Sequence, residues 1–77
     1  MTVNELVKAI GNNQLIEING DSDISNPHFE GFAENFIHSE NFEILAKRAV
    51  MGIFSKVDTN GKDYILIYYD DWEKDLK

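Results

Sequence analysis

Gly52 to Asp71 reads GIFSKVDTNGKDYILIYYDD, and the rest of the chain is organised around it. Its second arm, Tyr64-Ile65-Leu66-Ile67-Tyr68-Tyr69, is an unbroken run of apolar and aromatic strand formers. Such a strand is covered on both faces, or covered on one and adhesive on the other. Asn60-Gly61 is the favoured pair for a two-residue type I′ hairpin, because both central positions take positive φ. That register sets Val57 opposite Tyr64 and Asp58 opposite Asp63. The two facing acids oppose it, so a longer loop from Asp58 to Lys62 stands as the alternative. Beyond the hairpin, Asp70 or Asp71 caps a final helical turn over Trp72 to Leu76.

Upstream, Thr2-Val3-Asn4-Glu5 has the form of a capping box. Val3, Leu6, Val7 and Ile10 follow at helical spacing, and Gly11 stops the helix. Leu15 to Ile18 is a short strand ended by Asn19-Gly20-Asp21. Asn26-Pro27 opens a second helix whose stripe is Phe29, Phe32, Ala33, Phe36 and Ile37. Gly31 within it costs about 1 kcal/mol relative to alanine. Ser39 caps a third helix carrying Phe42, Leu45, Ala46, Ala49, Val50 and Ile53, with Glu40 and Glu43 in its first turn. Phe32, Phe36, Leu45 and Ile67 are expected in the core.

The expected fold is therefore a single α+β domain over residues 1–77, in the order helix, strand, helix, helix, strand, strand. A three-stranded antiparallel sheet and a short C-terminal helical turn complete it. With 77 residues the chain supports one small core, with roughly 3–5 kcal/mol of stability. There is no cysteine, hence no disulfide or thiolate site. No apolar run reaches the roughly 18 residues of a membrane span, and no basic, apolar leader opens the chain. A cytoplasmic location without membrane contact is the expectation.

Charge is the compositional outlier: 14 acids against 7 bases, a net −7. Residues 1–38 set six acids against Lys8, and residues 63–77 set five against Lys74 and Lys77. Only residues 39–62 lean positive, with Lys47, Arg48, Lys56 and Lys62 against three acids. Such a field repels phosphate and attracts basic surfaces, although acids also serve simply to keep a small protein soluble.

Catalysis finds no signature. His28 and His38 are the only histidines, and no spacing picks out a nucleophile elbow, a triad or a phosphate-holding glycine loop. Asp21-Ser22-Asp23 and Asp58-Thr59-Asn60-Gly61 lack the glycine and terminal acid of a calcium loop. No enzyme, metal or cofactor is expected.

The element order from Val3 to Tyr69 resembles the winged-helix family, without any sequence motif. That resemblance implies a last strand in the middle of a three-stranded sheet and DNA reading by the third helix and the wing. The positions so implied are Lys47 and Arg48 on the helix and Lys56 and Lys62 on the wing. The first dozen residues, through Asn4, Leu6, Ile10 and Asn12, are similar to the opening of small acidic phage anti-CRISPR proteins that mimic DNA. That resemblance implies a phage-type inhibitor, and its acidic contact residues have no counterparts that can be placed here.

The residues themselves point to a binding surface at the C-terminal end, where Tyr68, Tyr69, Asp70, Asp71, Trp72, Glu73 and Asp75 crowd together beside Tyr64. Tyrosine and tryptophan favour interfaces, and the acids suit a basic partner. The plainer reading is that the rings close the core and the acids are solvated caps. The leading expectation is a small acidic inhibitor of a basic, nucleic-acid-handling protein. The alternatives are a winged-helix DNA-binding regulator and a structural adaptor, and a homodimer through the C-terminal end is open. Neutralising Asp71, Glu73 and Asp75 is expected to leave the melting temperature unchanged or higher.

Overall fold

The structure, a computed structural model, describes residues 1–22 and 27–71. Its elements are α1 (Val3–Ile10), β1 (Leu15–Gly20), β2 (Phe29–Phe32), a 3-10 helix (Ala33–His38), α2 (Phe42–Leu45), β3 (Val50–Val57) and β4 (Asp63–Tyr69). The four strands form one mixed sheet in the order β2-β1-β4-β3. β1 runs parallel to β4 from Leu15↔Tyr64 to Gly20↔Tyr69, and the outer pairs β1–β2 and β3–β4 are antiparallel.

α1 forms where the sequence places it. The Glu5 amide donates to Thr2 Oγ1 at 3.2 Å, and the Thr2 amide donates to Glu5 Oε1 at 2.8 Å. Two further first-turn amides find carbonyls outside the helix: Val3 donates to Arg48 at 2.9 Å and Asn4 to Ala46 at 3.1 Å. The exposed donors of a helix start are thereby satisfied.

The same contacts explain one departure from the expected fold. A third helix running to Val50 would turn the Ala46 carbonyl onto its own backbone. Here α2 stops after four residues, and the chain ahead of β3 pairs with the N-terminus through Thr2↔Ala49. Ser39, expected to cap that helix, instead donates its hydroxyl to the Phe36 carbonyl at 2.7 Å and closes the 3-10 helix.

The second expected helix is not formed either. Phe29 to Phe32 is a strand paired with β1, from Ile18↔Phe29 to Leu15↔Phe32. Gly31 sits at φ +152°, a conformation L side chains rarely adopt and far from helical values. The helical spacing of the phenylalanines is real, but only Phe36 among those three is fully buried; Phe32 is 42% exposed. The winged-helix arrangement and its three-stranded antiparallel sheet are thus replaced by a four-stranded mixed sheet with a parallel centre. Trp72 to Leu76, the expected final turn, lie outside the described residues.

Side chains alternate across the sheet. Ile16, Ile18, Ile67 and Tyr69 join Val3, Leu6 and Val7 of α1, Ala33, Phe36 and Leu45 in one core. Among the described residues the helices therefore cover a single face. Leu15, Glu17, Asn19, Tyr64, Leu66, Tyr68, Phe54, Lys56, Glu30 and Phe32 occupy the other.

The hairpin takes the longer loop. Val57 pairs with Asp63, and Asp58 to Lys62 turn between them. Asp58 Oδ1 accepts from the amides of Asn60 (2.8 Å) and Lys62 (2.9 Å), while its carbonyl accepts from Gly61 (3.0 Å). Gly61, at φ +81°, supplies the left-handed residue that closes the turn. This register moves Lys56, not Val57, opposite Tyr64. A one-residue shift exchanges the faces of every β3 side chain relative to β4, so it decides what the surface presents.

Candidate interaction surface

Of the expected C-terminal patch, the described tyrosines Tyr68 and Tyr69 lie on opposite faces, because neighbours along β4 point to opposite sides. Tyr68 lies half-buried on the helix-free face. Tyr69 is 2% exposed in the core, and its hydroxyl hydrogen-bonds His28 Nδ1. Burial pushes the Tyr69 phenol above its ordinary range; Asp71 adds to that rise and Arg48 opposes it.

Asp70 is half-buried and donates its amide to the Ala49 carbonyl at 2.9 Å. The Asp71 carboxylate accepts from the Ser22 amide at 3.2 Å and from the Ser22 hydroxyl at 2.5 Å, holding the chain after β1 against the end of β4. Trp72, Glu73 and Asp75 lie outside the described residues.

The basic residues are also divided. Lys47 is exposed and Arg48 half-buried, both beyond α2 rather than on a recognition helix. With Glu43 and Ile44 they line a shallow hollow of about 310 Å³. Lys62 is exposed in the β3–β4 turn. Lys56 pairs with Glu17, whose side chain is 7% exposed, and its ammonium lies 5.4 Å from the centre of the Tyr64 ring. The hydrogen bond with Glu17 holds the Lys56 ammonium above the ordinary lysine value.

The helix-free face is the surface that the sequence reading missed. Phe54 lies over Gly52 and packs against Tyr68 with ring centres 5.0 Å apart. Around the Glu17–Lys56 pair are Tyr64, Leu66, Tyr68, Phe54 and Phe32. Phe54 is 55% exposed. Fully buried Asn19 shares the face, and its amide nitrogen and oxygen have no hydrogen-bond partner. The signal that could have found Phe54 is the apolar spread of VMGIFSKV over both strand faces. Its Val50 and Ile53 also fit the helical period that starts at Phe42, which masks the strand.

Among the described residues no group of three or more histidine, aspartate or glutamate side chains could hold a metal ion. No described helix is long and apolar enough to cross a membrane. No protein-family model matches the chain, and neither the curated proteins nor the solved structures contain a significant match.

Proposed function

We propose that this chain is a small acidic inhibitor that binds a basic, nucleic-acid-handling protein and catalyses no reaction. The observation that carries the reading is the placement of charge. Asp21, Glu30, Glu34, Glu40 and Glu43 are exposed, while Lys56, itself exposed, is paired with buried Glu17. These five acids place negative charge at the surface of a chain whose net charge is −7. A basic cleft evolved for phosphate would be attracted to it at long range, and contact would be strengthened by the aromatic side chains of the helix-free face.

Affinity capture from a lysate, repeated across ionic strength with and without duplex DNA as competitor, tests the proposal. The parent protein retains a basic nucleic-acid-binding protein that salt and DNA displace. Replacing Glu30, Glu34, Glu40 and Glu43 by glutamine slows association and flattens its salt dependence. Capture that is indifferent to salt, to DNA and to these four substitutions rejects the reading.

A further inference from the structure

Among the described residues β3 is an edge strand whose only sheet neighbour is β4. Its beginning is covered: the Val50 amide donates to the Met1 carbonyl at 3.0 Å. The following stretch has no such cover among the described elements. The Asp58 amide donates to the Lys62 carbonyl, so Asp58 faces the other arm of the hairpin. Alternation in an antiparallel pair then turns Lys56 and Phe54 toward β4, and the amides and carbonyls of Val57, Ser55 and Ile53 outward. Met51, Ile53, Phe54 and Val57 are each more than half exposed. Edge strands are normally blunted by proline, inward-pointing charge or a covering loop. This one has no proline, and its single charge, Lys56, is held by Glu17.

We propose that the outer edge of β3 pairs with the same edge of a second copy, antiparallel and centred on Ser55. In this register Ser55 faces Ser55, and Ile53 faces Val57 of the second copy. Every outward amide and carbonyl of the stretch then meets an outward partner, and each facing pair exchanges two hydrogen bonds. A two-fold axis perpendicular to the sheet keeps both helix-covered faces on the same side, so apolar Ile53 and Val57 meet beside the core. On the helix-free face Lys56 stands opposite Phe54 of the second copy, an ammonium beside an aromatic ring. No two like charges face each other. The interface is self-complementary, as a two-fold interface must be, and it joins two four-stranded sheets into one. Both copies carry −7, so salt tightens the dimer by screening their repulsion. Salt would weaken binding to a basic partner, so the two associations are distinguishable.

Sedimentation of the full chain from micromolar to millimolar concentration is the test. The expected result is a monomer–dimer equilibrium that shifts toward dimer at high salt. Ile53→Lys or Val57→Lys weakens the dimer by an order of magnitude or more while the exposed position leaves the monomer folded. Ser55→Pro removes an outward amide without touching the β3–β4 ladder and blocks pairing. Ser55→Cys, in a chain with no other cysteine, oxidises to a covalent dimer, because facing Cα atoms about 5.5 Å apart lie within disulfide reach. Thr59→Cys on the turn does not. A chain that sediments as a monomer throughout overturns the proposal. So does a dimer that survives Val57→Lys, cross-linking no faster at position 55 than at 59, or an edge that takes an unrelated extended peptide without self-pairing. If Ser55→Pro does not fold, the lysine and cysteine variants decide.

Discussion

Phe36→Ala tests the packing of the whole connection between the two hairpins. Phe36 is fully buried on the 3-10 helix. Its ring meets Phe29 of β2 edge-on, centres 5.4 Å apart at 68°, and Phe42 of α2 at 5.1 Å and 69°. Truncation removes the transfer free energy of the ring and leaves a cavity bounded by three elements, a loss of roughly 3–5 kcal/mol. The two edge-to-face contacts each add about 0.5–1.5 kcal/mol beyond area, which places the loss toward the upper end. A domain this small has only about 3–5 kcal/mol in total. Each kcal/mol moves the midpoint of a 60–100-residue domain by about 4–8 °C, so a loss near ~4 kcal/mol lowers it by roughly 15–30 °C. Phe36→Leu restores most of the volume and loses the ring contacts, at about 1.5 kcal/mol. Urea titration and thermal melts followed by circular dichroism measure both variants. An alanine variant that melts cooperatively within a few degrees of the parent refutes the argument, because the ring would then not join β2 to α2.

Three further outcomes follow from hydrogen bonds and titration. With its phenol raised, Tyr69 holds its proton more tightly in the folded chain than in the unfolded one. Its contribution is complete below the ordinary tyrosine value of about 10 and is lost as pH climbs from there through the raised folded value. Tyr69→Phe therefore flattens the alkaline fall in stability, and costs about 1 kcal/mol at neutral pH through the lost bond to His28; equal alkaline falls in both proteins contradict the assignment. Asp71→Ala frees the Ser22 amide and hydroxyl and lowers stability by about 1 kcal/mol in a urea titration, whereas a solvated cap would leave it unchanged. Asp58→Ala removes the acceptor that organises the β3–β4 turn, and a loss of about 1 kcal/mol is expected from the same titration.

The parts legible in the sequence are those fixed by neighbours along the chain. The capping box and apolar spacing of α1 lie within ten residues, and the run Tyr64 to Tyr69 announces a strand without outside help. β2 is different: Phe29, Phe32, Ala33 and Phe36 satisfy the helical period, and a four-residue strand is too short to contradict it. The backbone bonds from β1 decide the matter, and they leave no mark in the segment itself. The parallel contact of β1 with β4 is equally silent, because no turn joins the two strands. At the surface, sequence crowding misled. Tyr68 and Tyr69 are adjacent in the chain yet one faces out and the other enters the core, and Asp71 is occupied by Ser22. Charge was legible in part: Glu30, Glu34, Glu40 and Glu43 lie exposed, while Glu17 is buried against Lys56.

The parallel centre of the sheet sets the order in which the molecule can be made. Gln14 donates its side-chain amide to the carbonyl of Asp63, 49 positions away, at 2.9 Å, and Leu15 pairs with Tyr64 immediately beyond. A ribosome delivers β1 and β2 early, and a hairpin between them closes in about 1–10 μs. That ribbon then waits with the inner edge of β1 open until Tyr64 to Tyr69 have been synthesised, because only they fill it. Closing so long a loop must precede the contacts that reward it, which makes docking of the last strand the slow step of folding. During translation the backbone edge of β1 that faces β4 is consequently the one left without its partner longest, until the last strand emerges.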